Sequence, residues 1–540
     1  MSGVARWALR VALALLTALA ALHVVLLAVA FAGRAAYPLD LEWMEGGTLT
    51  HALRVMDGKP IYAAPSLDFI SYLYTPLYPT LLAVLARVAG LSYLLGRLVS
   101  IAAFALALAI AWRAVRREGA EPAWAAAAIG LVCAAFVPTE AWYDLVRVDS
   151  LALAFAAAGL YVLRHHHERP VGVALAAAML AVGVFAKQTV VLYLGIGGVA
   201  LLAMNWRLAW LYAAVGGILL AVGGWLIDAR SGGWFRTYVF HIHQNHDFYW
   251  HRLLWETELR MLKAAPLLVA LPVLLWMVSL FRREMGVGLR YWGFVATSAI
   301  LASALSWSTQ WSNFNAAIPG FYFLAVALAV SAAAVRSAPR GALLALLVAG
   351  QLFWLRPDTR HRPWRLSGWS MARFVPDAAA RQTAARFLAR LRKIRGPILV
   401  PYHPFYPVLV GRPAHFHQMG INDVTRAGLP VPADLRAAIR ERRFAAVVLD
   451  RPPDGRYAAG LVGYRLERLG GKEAPRTYSG FGVRTRLLYL RDDGEVRARP
   501  KASAARKAPA APPEARPSPI PPPSSGSPSR STGPRRSPGR

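Results

Sequence analysis

Acidic residues are scarce in this chain: 29 Asp and Glu stand against 61 Lys and Arg in 540 residues, a formal net charge of +32. A surplus of that size invites a nucleic-acid partner. The Arg and Lys, however, fall in short clusters between apolar runs and in a C-terminal tail, not in a basic domain with aromatics at base-stacking spacing, so no nucleic-acid partner is expected. Cysteine is nearly absent. Cys133 stands alone inside an apolar run, so no disulfide forms within the chain, and it reads as a small packing residue. Internal repeats are lacking too, which weighs against the inverted-repeat plan common among transporters. Charged residues make up only 17% of the chain and hydrophobic ones 56%, both displaced from soluble averages toward a membrane protein.

What is abundant is long apolar sequence. A spanning helix needs about 20 mainly apolar residues, and about eleven such windows recur, near 11–32, 95–112, 122–138, 148–163, 171–186, 189–204, 208–227, 264–281, 290–306, 316–335 and 341–355. The fold class expected is a polytopic α-helical membrane protein. The first window follows Arg6 and Arg10 and is longer than a cleavable signal core, so it reads as an uncleaved span. With the N-terminus inside and one crossing per window, the basic clusters Arg113–Arg117, Arg164–Arg169, Arg207, Arg282–Arg283 and Arg336–Arg340 all fall on the cytoplasmic side, as the positive-inside rule requires. Residues 76–90 are apolar but short and begin with Pro76 and Pro79. They read as an interfacial or re-entrant helix within a first external loop over 33–94.

This topology makes residues 1–356 a membrane module and brings the chain out on the external face. Over 357–495 the apolar runs shorten to strand length, as at Ile398–Pro401 and Phe444–Asp450, between helical patterns at 378–394 and 432–443. A small extracytoplasmic α/β domain is expected there. From 496 to 540 Pro, Ser, Ala and Arg dominate, a composition that buries no core and implies a disordered basic tail.

The external loops collect the unusual side chains. Asp40, Glu42 and Glu45 follow the first span, and a helical pattern over Thr48–Met56 comes next. The third span ends in PTEAWYDLVRVDS, with Glu140, Asp144, Arg147 and Asp149, and the fifth in FAKQT, with Lys187 and Gln188. Ionisable groups at membrane depth are costly, so a set of acids and bases on one face points to function. Such a set suits group transfer from an anionic lipid-linked donor. A carboxylate takes a proton from an acceptor hydroxyl, while Lys187 and Arg147 neutralise a phosphate leaving group. Aromatics nearby, among them Trp43, Tyr72, Tyr74, Tyr78, Trp142 and Tyr143, either stack on a sugar or form an interfacial belt.

Glu45-Gly46, GKPIY (Gly58–Tyr62), YTPLYP (Tyr74–Pro79), Gly96-Arg97-Leu98, Asp144 with Arg147-Val148-Asp149, and AKQT (Ala186–Thr189) occur in this order. Together they resemble the GT-C glycosyltransferases, specifically the bacterial branch similar to protein O-mannosyltransferases and aminoarabinose lipid A transferases (glycosyltransferase family 39-like). The likeness covers the N-terminal third to half of the chain. It implies a polyprenyl-phosphate sugar donor, inverting transfer to an envelope acceptor at the outer face of a bacterial inner membrane, and a catalytic acid in the first external loop with a second in the next. Glu45 matches the first position, with Glu42 a close rival because the family often has Asp-Glu where this chain has Met44-Glu45. Asp149 or Asp144 matches the second. Lys187 and Arg147 are the candidates for donor phosphate, since the Lys that the aminoarabinose branch carries before Pro-Pro is missing at Tyr74-Thr75-Pro76-Leu77. Tyr74, Tyr78 and Gln188 are the candidate substrate contacts.

His241, His243, His246 and His251 crowd the 228–262 loop beside Asp247. The His-x-His spacing makes His241, His243 and His246 weak candidates for a divalent metal, but the loop lacks an established ligand pattern. An interfacial segment is the competing reading, and no cofactor is firmly implied. A flippase or transporter for a lipid-linked or anionic substrate, or a non-catalytic assembly protein, are the rival functions.

Overall fold

The computed structural model describes residues 3–282, 285–335, 337–356, 371–455 and 457–491. The expected tail over 496–540 lies outside the described residues, as do Arg283 and Arg336 of the basic clusters.

The chain is helical with one small sheet. It opens with α1 (Gly3–Ala35), α2 (Glu45–Met56), α3 (Leu77–Ala89), α4 (Tyr93–Arg117), α5 (Pro122–Ala134), α6 (Asp149–His166), α7 (Pro170–Ala186), α8 (Val190–Asn205) and α9 (Ala209–Arg230). There follow the single turn α10 (Trp234–Arg236), α11 (Thr257–Ala264), α12 (Pro266–Phe281), α13 (Val287–Trp307), α14 (Ile318–Ser331) and α15 (Ala338–Trp354). The C-terminal part holds α16 (Met371–Phe374), α17 (Ala378–Lys393), β1 (Ile398–Leu399), α18 (Gln418–Arg426), α19 (Ala433–Arg440), β2 (Ala446–Leu449), β3 (Tyr464–Arg468) and β4 (Leu487–Arg491).

Helix α1 shows how sequence sets the packing. Ala12, Leu16, Ala20, Leu27 and Ala30 are buried at helical spacing, while Val11, Leu15, Leu22, Val25 and Val29 on the other side are exposed to the surroundings. A helix apolar on both sides, with only one of them covered by protein, is at home in lipid. It lies against α5 and α15. At the α5 crossing a Cβ on Gly130 would sit 2.5 Å from the Ala20 Cα, so only glycine allows this approach.

A helix occupies each apolar window of the sequence. Among the described residues four helical stretches are long and apolar enough to cross a membrane, or five if the bent pair α11–α12 is one span. One of the four is the 41-residue stretch Val190–Arg230, but it is not straight. Tyr212 Oη donates to the Leu194 carbonyl at 2.8 Å, whereas 18 residues of continuous helix would separate them by about 27 Å. The chain reverses at the tight turn Trp206–Leu208, so α8 and α9 form an antiparallel hairpin. The 114° bend between α11 and α12 falls at Pro266, where the missing N–H breaks the ladder. Gln351 Oε1 accepts from the freed Leu267 and Leu268 amides, at 2.8 and 3.3 Å. Helix α3 has 13 residues, as does α5, and both are shorter than the length that crosses a membrane as one straight helix.

The two ends of the bundle differ in chemistry. At one, Glu118 accepts from Arg164 Nη2 at 2.9 Å and from Trp292 Nε1 at 3.1 Å, and Asn205 donates to the His167 carbonyl at 2.9 Å. The loops after α4, α6 and α8 therefore meet there, with their basic residues. At the other end lie α2, α3, the 139–148 loop and the sheet. The sheet runs β1-β2-β4-β3, with β1 and β2 parallel and the rest antiparallel. All four residues of β2 are buried, which is why its sequence is an unbroken apolar run. Leu41 O accepts from Tyr478 N and Ser479 N at 2.7 and 2.9 Å, tying the sheet region to the first loop.

Two buried ion pairs fix this end. Arg34, in the last turn of α1, meets Asp144 through Nε (2.7 Å) and Nη2 (2.9 Å), with both side chains fully buried. It also donates to the carbonyls of Phe374 and Ala141 and to Ser479 Oγ. Arg97 of α4 grips Glu45 through Nε (3.1 Å) and Nη2 (2.7 Å) and donates to the carbonyls of Tyr37 and Leu39. Removing one partner of such a pair strands the other in a dry site. Asp144→Ala is expected to cost about 3–5 kcal/mol, read as a lower unfolding temperature of the purified protein in detergent. Unfolding alongside the unaltered protein would contradict this role.

Candidate active site

The site begins in residues 36–44, between α1 and α2. Asp40 Oδ1 accepts the Gly46 amide at 2.8 Å and so caps the start of α2, while Oδ2 receives His403 Nδ1 at 2.6 Å. His403 Nε2 reaches Asp450 Oδ2 at 3.0 Å. Burial works against a charged imidazole here, but Asp450 and Asp40 outweigh it and lift His403 to about 10. Burial pushes Asp40 upward, with His403 offsetting part of that rise. This clasp sets the first loop against the C-terminal region. Next to it, Gly47 has no room for a Cβ, which would lie 1.6 Å from Tyr72 Oη.

Two of the expected catalytic acids turn out to be engaged by the protein itself. Glu45 receives Leu41 N and Arg97 on Oε2, and Val146 N and Arg97 on Oε1. Asp144 is held by Arg34. Neither borders the cavity described below, and nor does Glu42. Tyr78, an expected substrate contact, is likewise fully buried, bonded to Gly96 O and Ser100 Oγ at 3.0 and 2.8 Å.

Glu42 is fully buried and less satisfied. Its Oε2 accepts Met44 N at 3.2 Å and lies 3.4 Å from Arg147 Nη1, while Oε1 has no hydrogen-bond partner among the described residues. Burial raises Glu42 to about 7, although Arg147 pulls the other way. Arg147 Nη1 makes no hydrogen bond of good geometry either; Nη2 donates to Tyr74 Oη at 2.8 Å, and the guanidinium lies over the Tyr74 and Trp142 rings. The loop that presents Arg147 is strained. Glu140 and Ala141 have φ of 64° and 56°, a left-handed pair without glycine. Arg34 and Ser479 hold it by hydrogen bonds to Ala141 O, and Gly480 N donates to Glu140 O.

Asp149 opens α6 and is satisfied three times over, by Lys187 Nζ at 2.7 Å, Asn315 Nδ2 at 2.8 Å and Trp142 Nε1 at 2.8 Å. Lys187 follows the end of α7 in extended conformation, and Gln188 beside it donates to Leu73 O at 3.0 Å. Lys187, Arg147, Tyr74 and Gln188 all line one cavity of about 120 Å³. Trp43, Met44, Trp142 and Asn315 complete its membrane side, and Met419, Asp423 and Phe481 its C-terminal side. A narrow extension of about 20 Å³ runs past Asp149 and Lys187 between Leu153, Val190, Tyr193 and Ile318.

Of the histidines, His243 and His246 border the cavity and His241 is exposed. His246 Nε2 pairs with Asp423 at 3.0 Å. Among the described residues no three His, Cys, Asp or Glu side chains converge on a metal position. Sequence reasoning missed Asn315, Met419, Asp423, Phe481 and His403. The polar run Ser306–Asn315 between two apolar windows was a readable signal for the first; the others carry no local mark.

No protein-family model matches the chain, and comparison with curated proteins gives no match. Two solved structures share its fold. ArnT from Cupriavidus metallidurans bound to undecaprenyl phosphate aligns with a TM-score of 0.55 at 14% identity, over 86% of this chain and 97% of that one. The same protein in the apo state aligns with 0.56 at 14% identity, over 87% and 97%. At that identity the likeness is one of fold.

The His403 clasp generates a pH dependence. A folded value near 10 stands above the usual 6.5, so its stabilisation is complete below about 6.5 and is lost progressively as pH rises to about 10. Unfolding temperature measured from pH 6 to 10 should fall more for the unaltered protein than for His403→Gln. Parallel curves would refute the charged clasp.

Proposed function

We propose that the chain is a GT-C type glycosyltransferase of the bacterial inner membrane. It moves a sugar from a polyprenyl-phosphate donor to an envelope acceptor by inverting transfer at the outer face. Eleven crossings with a cytoplasmic N-terminus suit this reading, because they gather the basic loops inside and put the cavity and the C-terminal region outside. The fold shared with ArnT, one of whose structures holds undecaprenyl phosphate, supports the donor class. In this reading residues 1–356 form the membrane module and 357–495 an external domain that helps select the acceptor.

One observation carries the chemistry. Arg147, whose Nη1 makes no hydrogen bond of good geometry, lines the cavity with Lys187, and behind it, 3.4 Å from that nitrogen, lies Glu42, whose buried Oε1 has no hydrogen-bond partner among the described residues. Buried polar atoms are otherwise almost always satisfied, so such orphans mark a place for ligand. An acceptor oxygen attacks the anomeric carbon, and the bond from that carbon to the phosphate oxygen breaks with its electron pair on the phosphate. Lys187 and Arg147 face the charge that develops there. Glu42 takes the hydroxyl proton, and a value near 7 leaves it partly ionised at neutral pH and more basic than an ordinary carboxylate. Asp149, with Asn315, holds the Lys187 ammonium in place. Tyr74 and Trp43 offer ring faces to a sugar.

Transfer from radiolabelled polyprenyl-phosphate sugar by the reconstituted protein tests this assignment. Glu42→Gln should lower turnover by about 100- to 10,000-fold with polyprenyl-phosphate binding retained. Undiminished turnover removes Glu42 from the mechanism. Lys187→Met and Arg147→Met should instead weaken binding of the polyprenyl phosphate itself. Equal affinity in both would place the phosphate elsewhere.

A further inference from the structure

A second concavity, of about 400 Å³, lies on the sheet side of α1 and shares no lining residue with the first. Four cations border it, Arg386 from α17 and Lys472, Arg476 and Arg484 from the segment between β3 and β4. Asp377 is the one acid in its lining, and that carboxylate is used on Ala380 N at 2.7 Å as the cap of α17. None of the four cations forms an ion pair with a described carboxylate, in contrast to Arg390 close by on the same helix, which pairs with Glu467. The groups that do touch them are neutral. Arg386 donates to Lys472 O at 3.2 Å, and Arg476 lies 4.7 Å over the Tyr478 ring.

Four like charges around one hollow repel each other, and an anion placed among them removes that cost. The first turn of α17 adds the partial positive charge of its free amides on the same side. The level of the groove identifies the class of anion. The outward apolar residues of α1 end near Val29, Arg381 donates to Gly33 O, and Tyr37, just beyond, forms part of the groove wall. The hollow therefore opens where α1 leaves the apolar layer, at the depth of lipid headgroups.

We propose that this groove binds a phosphate-bearing anion, supplied by a lipid headgroup of the adjacent leaflet. The site is separate from the transfer chemistry, and its test does not require that reading to hold. Full-length protein in a neutral detergent is titrated calorimetrically with short-chain phosphatidylglycerol, short-chain phosphatidylcholine and inorganic phosphate. Saturable binding of phosphatidylglycerol over phosphatidylcholine is expected, weakened about tenfold or more in the triple variant Lys472→Gln, Arg476→Gln, Arg484→Gln. Arg476→Lys with Arg484→Lys keeps the charge and should bind close to the unaltered level, which separates lost charge from lost folding. Failure of inorganic phosphate to displace phosphatidylglycerol supports the headgroup as the source; displacement at equal concentration supports the anion site but overturns the lipid assignment. Unchanged affinity in the triple glutamine variant, or no saturable binding of either phosphate-bearing probe, overturns the site itself.

Discussion

The guanidinium of Arg34 is the point on which the upper end of this molecule depends. It has no water around it, so each of its donors must find an acceptor inside the protein. Those acceptors come from three distant stretches: Asp144 and Ala141 in the strained loop, Phe374 before α17, and Ser479 near the end of the described chain. No subset of them satisfies the group alone. Arg97 repeats the device one layer away, with Glu45, Tyr37, Leu39 and, through Glu45, Val146. Charge burial of this kind adds little net stability compared with an apolar replacement, yet it tolerates only one arrangement of partners. What it secures here is register. With Glu45 and Asp144 locked, Glu42, Arg147 and Asp149 have fixed neighbours.

The division of labour among the acids follows from that. Of the carboxylates at this end, Asp40 is held by His403 and the start of α2, Glu45 by Arg97, Asp144 by Arg34, and Asp149 by Lys187 and Asn315. Glu42, Glu140 and Asp450 each keep a buried oxygen without a hydrogen-bond partner among the described residues, and of the three Glu42 lies against Arg147. A base needs a lone pair that its surroundings have not already consumed. Hydrogen bonding, more than position in the chain, is what distinguishes these acids from one another.

The helical layout was legible in sequence because apolar windows, Pro breaks and basic loops each have a local physical cause. The windows became α1 and α4–α9 and α12–α15, and the strand-length runs at 398 and 446 became β1 and β2. β3 escaped notice because Tyr464–Arg468 is mostly exposed and carries three charges in five residues, whereas β4, Leu487–Arg491, is a short apolar run that was open to the same reading as β1 and β2. The acids were located as a set, but which one is free depends on contacts made by Arg34 and Arg97 across 110 and 52 residues of chain. No window of sequence contains that information. His403 and Asp423 are invisible for the same reason, since each gains meaning only when the C-terminal region closes on the first loop.

The segment Arg476–Arg484 folds back on itself, with Thr477 N donating to Val483 O and Gly480 at its tip close to the Glu42 side chain. Its Phe481 borders the cavity. The cover over Glu42 is thus contributed by residues more than four hundred positions later in the chain. Two parts of the sequence far apart must both be in place before this side chain is enclosed, so a truncation ahead of Arg476 uncovers a residue it never touches in sequence.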